Sequence, residues 1–384
     1  MSSARPVCVF VIENKLGGVA YMNFNIINNT TLSKAFTTRV ILLDNKSSDH
    51  PRFKDVFRVD ELINFEYRSS ENKYVILKRL SIAIGNEEGA LVCNDALEME
   101  TIHIFPTPKT VYQVIHDFYN VKLAVKYGSV VDVYLAHTEL FRDALLSADP
   151  ENINSVYLPH GVNIPAWQPR VAGEQLKIVF TGRLVDGKGV RDIFEIDKLL
   201  KNVSVFVQWT IIGRGPLAAF LQEQWKEENN VRFLAPENHE EVMSEMLQHD
   251  LFLLPTRFEG SPVTVLEALS CGLVPIVSDL PAGIKEIISD KIGSRVPVGN
   301  KQAFADAVLH YNKNRAILSD MQQNCRNLAE EKFDIGKTSD NYFGQFLHYR
   351  LLKKNKSIAK IKIGFRLDNP WLPNWLVKLL RNKM

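Results

Sequence analysis

The chain is poor in cysteine and has no long apolar stretch. Its 384 residues hold four cysteines, Cys8, Cys93, Cys271 and Cys325, scattered and without a C-x-x-C pair. That excludes a disulfide framework or a cysteine-rich zinc site and fits a reducing compartment. No apolar run approaches 18 residues, so no membrane-spanning helix is expected. The first apolar segment, Val7–Ile12, has six residues. It is too short for a signal-peptide core and reads as a strand. Also missing are a D-x-D run, a G-x-x-x-x-G-K-[ST] loop, the third glycine of a dinucleotide fingerprint after the first strand, and any repeat of solenoid period.

Charge is nearly balanced at +2 but unevenly placed. Residues 353–384 carry nine Lys or Arg and one acidic residue, Asp368, a balance of +8 that leaves −6 for the other 352 residues. The C-terminus therefore stands apart as a region, and the acidic remainder speaks against nucleic acid as a partner.

Short apolar runs alternate with helix-compatible stretches. The strand candidates are residues 7–12, 38–43, 89–93, 111–115, 133–136 and 155–158, then 177–180, 207–212, 231–233, 251–254 and 274–277. This alternation predicts β-α units in parallel sheets. A Pro-rich polar break near residues 164–174 separates two groups of strands. We expect an α/β protein of two Rossmann-like doubly wound domains, 1–165 and 175–336, followed by a crossing helix over 337–352. Ligands in such sheets bind at the C-terminal strand ends.

The segment 253–278, LLPTRFEGSPVTVLEALSCGLVPIVS, carries the most chemistry. Glu259 lies in a loop before an expected helix, and Glu267 lies about a turn and a half inside it. Ser261 is placed to cap, Pro262 to take the first helical position, and Gly272 to end the helix. Free N–H groups at a helix start attract phosphate, and carboxylates accept hydrogen bonds from sugar hydroxyls. Upstream, the loop after Thr181 sets Arg183 and Lys188 among Gly182, Gly187 and Gly189. Glycines allow close backbone approach, and two cations can neutralise a diphosphate. In the first half, Gly17 and Gly18 form a strand-to-helix turn. His116 ends the apolar run VYQVI. A lone histidine is commonly a packed residue, but a strand's C-terminal end makes this one a site candidate.

These motifs resemble glycosyltransferase family 4 over most of residues 7–335, most strongly between Lys177 and Ile288. The matching features are the E-G-x-P-like loop with a second glutamate eight positions on, and GRLVDGKG against the family's G-R-L-x-x-x-K-G. The resemblance implies a GT-B architecture, two Rossmann-like domains facing a cleft, and sugar transfer from a UDP- or GDP-linked donor with retention of anomeric configuration. It implies Arg183 and Lys188 as diphosphate ligands, Glu267 on the ribose, and Glu259 with Gly260, Ser261, Pro262 and Val263 around the donor. It places His116 on the transferred sugar and Gly17 and Gly18 under the donor phosphate or the acceptor. Gly213 and Arg214 match a turn beside the nucleotide. Leu234 lies in a stretch whose backbone reads the base, although this chain has Ala235 where glycine is frequent. His160, where asparagine is frequent, is given no catalytic role. Residues 281–286, PAGIKE, are expected to support the site. The catalytic set is thus Glu259, His116, Arg183 and Lys188. With cations and helix N–H groups to stabilise the leaving phosphate, no metal and no cofactor is expected. A nucleotide-sugar 2-epimerase and a non-catalytic nucleotide-sugar-binding subunit share the architecture and stand as alternatives.

In the tail, Trp371, Leu372, Trp375, Leu376, Leu379 and Leu380 recur at helical spacing, with Lys378, Arg381 and Lys383 off the stripe. Such a helix suits an anionic membrane interface, or docks on the protein itself. The interfacial reading implies a cytoplasmic enzyme held at the inner face of the membrane. A polyprenyl-diphosphate-linked glycan of a bacterial envelope polysaccharide is then the expected acceptor.

Overall fold

The computed structural model describes residues 5–148, 154–169, 173–260, 262–281, 283–355, 361 and 363–381. The chain divides into two compact units, one made of residues 1–161 with 335–384 and the other of residues 162–334.

The first unit is built on seven parallel strands: β1 (Val7–Glu13), β2 (Thr37–Asn45), β3 (Glu61–Tyr67), β4 (Gly89–Cys93), β5 (Thr110–Ile115), β6 (Val133–Ala136) and β7 (Ser155–Tyr157). Their order is β3-β2-β1-β4-β5-β6-β7. β1, β4, β5 and β6 are buried almost throughout, which is why they read as continuous apolar runs. The edge strand β3 alternates burial, with only Phe65 fully inside. Its sequence, ELINFEY, offers no apolar run, and the strand is absent from the expected set.

The second unit has six parallel strands: β8 (Lys177–Thr181), β9 (Gln208–Ile212), β10 (Val231–Leu234), β11 (Leu251–Leu254), β12 (Val274–Ser278) and β13 (Ser294–Val296). Their order is β10-β9-β8-β11-β12-β13. Strand order reverses between β1 and β4 in one sheet and between β8 and β11 in the other. The crevice at each such reversal is where doubly wound folds place ligands. The two doubly wound units are those of the GT-B architecture.

The chain leaves the second unit beside its point of entry. Val162 donates its N–H to the Phe333 carbonyl (2.8 Å), and Val162 bridges Asp334. The helix Ile335–Leu347 belongs to the first unit and packs on the helix Gly18–Asn29. Phe343 and Phe346 pack against Phe10 with no exposed surface. Burial of each such ring contributes about 1.5–3 kcal/mol. Asp340 accepts from the Thr31 N–H and the Thr30 and Thr31 hydroxyls at 2.8–2.9 Å, so polar groups fix the same contact.

The tail is docked on the first unit. Asn72 donates to the Asn369 and Leu372 carbonyls, and its N–H donates to Asn374. Lys73 N–H and Arg381 both donate to Asp368 at 2.8 Å. Val377 is fully buried in the short helix Asn374–Arg381. The other side stays bare, with Trp371 89% and Trp375 67% exposed, beside Leu379 and Leu380. Leu372 and Leu376 are half-buried, so the exposed stripe is narrower than the spacing implies. Arg381 is turned inward rather than to solvent, and Lys383 lies outside the described residues.

Candidate active site

The loops after β8 and β11, on either side of the strand-order reversal, are fastened to each other. Arg257 N–H donates to the Gly187 carbonyl (2.8 Å), and the buried Thr256 hydroxyl lies 3.2 Å from the same oxygen. Gly189 has φ 66°, and a Cβ there would lie 1.8 Å from the Pro255 carbonyl oxygen. Only glycine tolerates both that backbone and that approach. This packing turns Lys188 onto Glu259, and the two form an ion pair with side chains only 20% and 10% exposed. Arg257 pairs with Asp192 (2.6 Å) and anchors the loop from behind. Arg183 is exposed, and no acidic side chain among the described residues pairs with it.

Glu259 is followed by a short helix, Val263–Ser270, as the sequence implies. Its start differs. Pro262 occupies the capping position with no side-chain cap, so the helix starts one residue later than expected, and Ser261 lies outside the described residues. Gly260 and Pro262 pack on Gly283 instead: a Cβ there would sit 2.7 Å from Pro262 Cδ and 3.2 Å from the Gly260 carbonyl oxygen. The helix ends into Gly272 at φ 69°, where a Cβ would strike the Trp167 indole.

Glu267 differs from its expected charge state. It is buried, and burial pushes its carboxyl up to about 8. His239 Nε2 lies 3.4 Å from its Oε1. Burial also lowers His239. Burial therefore drives both partners toward their neutral forms, which disfavours an ion pair at this contact. A neutral Glu267 can donate to a hydroxyl as well as accept. His239 escaped the sequence reading because it stands in a polar helix start, NHEE, that reads as an ordinary cap.

A cavity of about 320 Å³ opens beside β9 and β10, lined by Leu184, Ile211, Gly213, Arg214, Phe233, Leu234 and Ala235 among others. Gly213, at φ 152°, lets the turn after β9 lie against the Gly182 carbonyl. Arg214 reaches across to the Ala235 carbonyl (2.5 Å). The cavity thus joins Gly213, Arg214 and Leu234, which the sequence offered as separate motifs. An apolar wall with a guanidinium and backbone groups at its edge suits a flat heteroaromatic ring.

In the first unit, Gly17 precedes the helix Gly18–Asn29, and a Cβ at either glycine would meet nothing within 4 Å. Packing does not demand glycine there, and the turn is exposed. His116 follows β5, with Nε2 3.0 Å from Asn94 Oδ1. Burial and the neighbouring His137 hold it well below the usual histidine range. His137 and His160 stand beside it, and the sequence reading passed over His137 although it follows β6 as His116 follows β5.

Residues 166–332 match the family model described as glycosyl transferases group 1. A putative colanic acid biosynthesis glycosyltransferase of Escherichia coli K12 is 31% identical over 166 residues, 40% of this chain and 41% of that protein. An amylovoran biosynthesis glycosyltransferase of Erwinia amylovora is 30% identical over 42% of each chain. The chain thus spans about two fifths of the length of these curated relatives. Among solved structures, Anabaena HepE in complex with UDP and glucose superposes with a TM-score of 0.70 at 15% identity, over 89% of this chain and 99% of that one. The lipopolysaccharide outer core galactosyltransferase WaaB gives 0.67 at 18% identity, over 89% and 99%. These likenesses carry the fold across nearly the whole chain. The family-model match lies within the second unit.

Proposed function

We propose that this protein is a retaining hexosyltransferase that moves a sugar from a UDP- or GDP-linked donor to a glycan acceptor in bacterial envelope polysaccharide assembly. The observation that carries this reading is the fastening of the glycine loop to the Glu259 loop. It sets a cation suited to a diphosphate against a carboxylate suited to sugar hydroxyls, at the strand-order reversal. The cavity beside Arg214 and Leu234 takes the base, and Glu267 takes the ribose diol. Arg183 and Lys188 stabilise charge on the leaving diphosphate, so turnover needs no metal. His116 serves the transferred sugar, and the Gly17–Gly18 turn serves a phosphate or the acceptor. The relatives support the setting. One more, from Escherichia coli, is named as a galactosyltransferase acting on a GlcNAc-diphosphoundecaprenol and is 28% identical over 51% of this chain.

In this reading the acceptor is lipid-linked, and the exposed Trp371, Trp375 and Leu379 meet an anionic membrane surface on the cytoplasmic side. Docking and membrane contact are compatible, because Val377 and Asp368 face the protein while the tryptophans face away. No helix among the described residues is long and apolar enough to cross a membrane.

The test is thermal-shift screening with UDP, GDP and their sugars, followed by nucleoside diphosphate release with and without acceptor. A ligand that binds the folded state raises its apparent stability. Release that depends on acceptor supports transfer. Release without acceptor that accompanies epimerised sugar supports the 2-epimerase, and binding without turnover supports a non-catalytic subunit.

A further inference from the structure

One group of three metal-capable side chains lies among the described residues: His116, His137 and His160 in the first unit. One ring nitrogen of each lies within 4.8 Å of the others. They follow β5, β6 and β7, three adjacent parallel strands, so topology alone brings them to one sheet end.

Hydrogen bonds assign two of the tautomers. His137 Nδ1 is 3.0 Å from the Leu158 carbonyl oxygen, which can only accept. The Tyr342 hydroxyl lies 2.9 Å from both that carbonyl and Nδ1, and lone pairs avoid facing each other only when Nδ1 carries the proton and the hydroxyl donates to the carbonyl. The lone pair is left on His137 Nε2, which is buried and has no hydrogen-bond partner among the described residues. His116 Nε2 faces Asn94 Oδ1 at 3.0 Å. The Asn94 amide cannot be reversed, because its Nδ2 donates to the Val11 carbonyl (2.9 Å) and its Oδ1 accepts from Asn23 (3.1 Å). His116 thus carries its proton on Nε2 and its lone pair on Nδ1. Histidines that ligate metals are oriented in this way, with the other ring nitrogen donating to a carbonyl oxygen.

The rings of His116 and His137 are 5.0 Å apart and inclined by 48°. Two imidazoles around a shared tetrahedral ion, at Zn–N of about 2.0–2.1 Å, have centroids about 5 Å apart. His160 is stacked on His137 at 3.8 Å. Its centroid lies 6.5 Å from that of His116, so binding requires the ring to move by roughly 1–1.5 Å, away from His137 and toward His116.

We propose that His116, His137 and His160 form a site for a borderline divalent cation of the Zn²⁺ class, with three protein ligands and an open fourth position. The ion takes no part in sugar transfer. It occupies the histidine that the proposed function gives to the transferred sugar, so it inhibits. That consequence rests on the proposed function, and the binding does not.

The test uses full-length protein stripped by chelator and then titrated with Co²⁺. The expected result is one equivalent bound with the intense visible bands of four-coordinate cobalt, displaced by Zn²⁺. His160→Asn is expected to remove the bands, and His137→Gln to weaken binding at least tenfold. Because His137→Gln can fail to fold, His160→Asn and His116→Asn carry the decision. No four-coordinate bands in the wild type, or the same bands in His160→Asn, overturns the proposal. A UDP thermal shift on the same preparation reports on the second unit separately. Cobalt bands without a UDP shift leave the metal site standing and count against the proposed function. A UDP shift without the bands does the reverse.

Discussion

Glu267 offers the sharpest test of the site's electrostatics. Its carboxyl is raised from 4.5 to about 8, and burial is the cause. The folded state therefore holds this proton more tightly than the unfolded chain. Below pH 4.5 both states are protonated and burial costs no charge. As pH rises, the unfolded chain ionises and the folded carboxyl cannot follow. Stability is lost at about 1.4 kcal/mol per pH unit until the folded carboxyl titrates near 8, on the order of 5 kcal/mol in all. Glu267→Gln keeps shape and neutrality and removes the titration. The variant is expected to gain on the wild type steadily between pH 5 and 8, with the gap constant above. The measurement is urea unfolding of both proteins across that range, read as their difference so that other titrations cancel. A gap that does not change with pH, or that widens on acidification, would mean that Glu267 is ionised in the folded protein. The His239 contact would then be an ion pair, and the burial argument would fail.

Three further outcomes follow from the site and the tail. Lys188→Ala is expected to weaken UDP binding and Glu259→Ala chiefly to lower kcat, each by roughly 1.5–3 kcal/mol for a lost charged hydrogen-bond partner; calorimetry and steady-state kinetics on the folded variants check this, and wild-type values in both would remove the assigned roles. Turnover is expected to survive excess EDTA; complete loss restored by Mg²⁺ or Mn²⁺ would show that the cations of the glycine loop do not suffice. Trp371→Ala with Trp375→Ala is expected to reduce binding to anionic liposomes at about 25 cal/mol per Å² of apolar surface no longer inserted, while far-UV circular dichroism stays unchanged. Truncation after Leu352 is a poorer probe than these point changes, because it also strips Asp368 and Val377 from the first unit.

Much of the architecture was readable in one dimension. Buried parallel strands must be apolar on both faces, so β4, β6 and β11 stand out with their observed bounds. The edge strands β3 and β13 do not, because an edge needs little apolar surface and ELINFEY interrupts its apolar residues with Asn64 and Glu66. The glycine loop and the two glutamates were legible as residue types at fixed spacing. A strand's end and a helix's start set their local geometry.

The sequence by itself determined the two doubly wound units, the residue types of the glycine loop and the two glutamates, and the amphipathic character of the tail. These follow from local periodicity and from backbone demands such as φ 66° at Gly189, which act within a few residues. Tertiary structure alone decided which side chains meet and what charge they carry. Lys188 lies 71 residues from Glu259 and reaches it only because β8 and β11 are neighbours. His116, His137 and His160 converge because three strand ends lie side by side. The Glu267 carboxyl is pushed up because the packed protein around it excludes water, and desolvation is a property of the fold rather than of any sequence window.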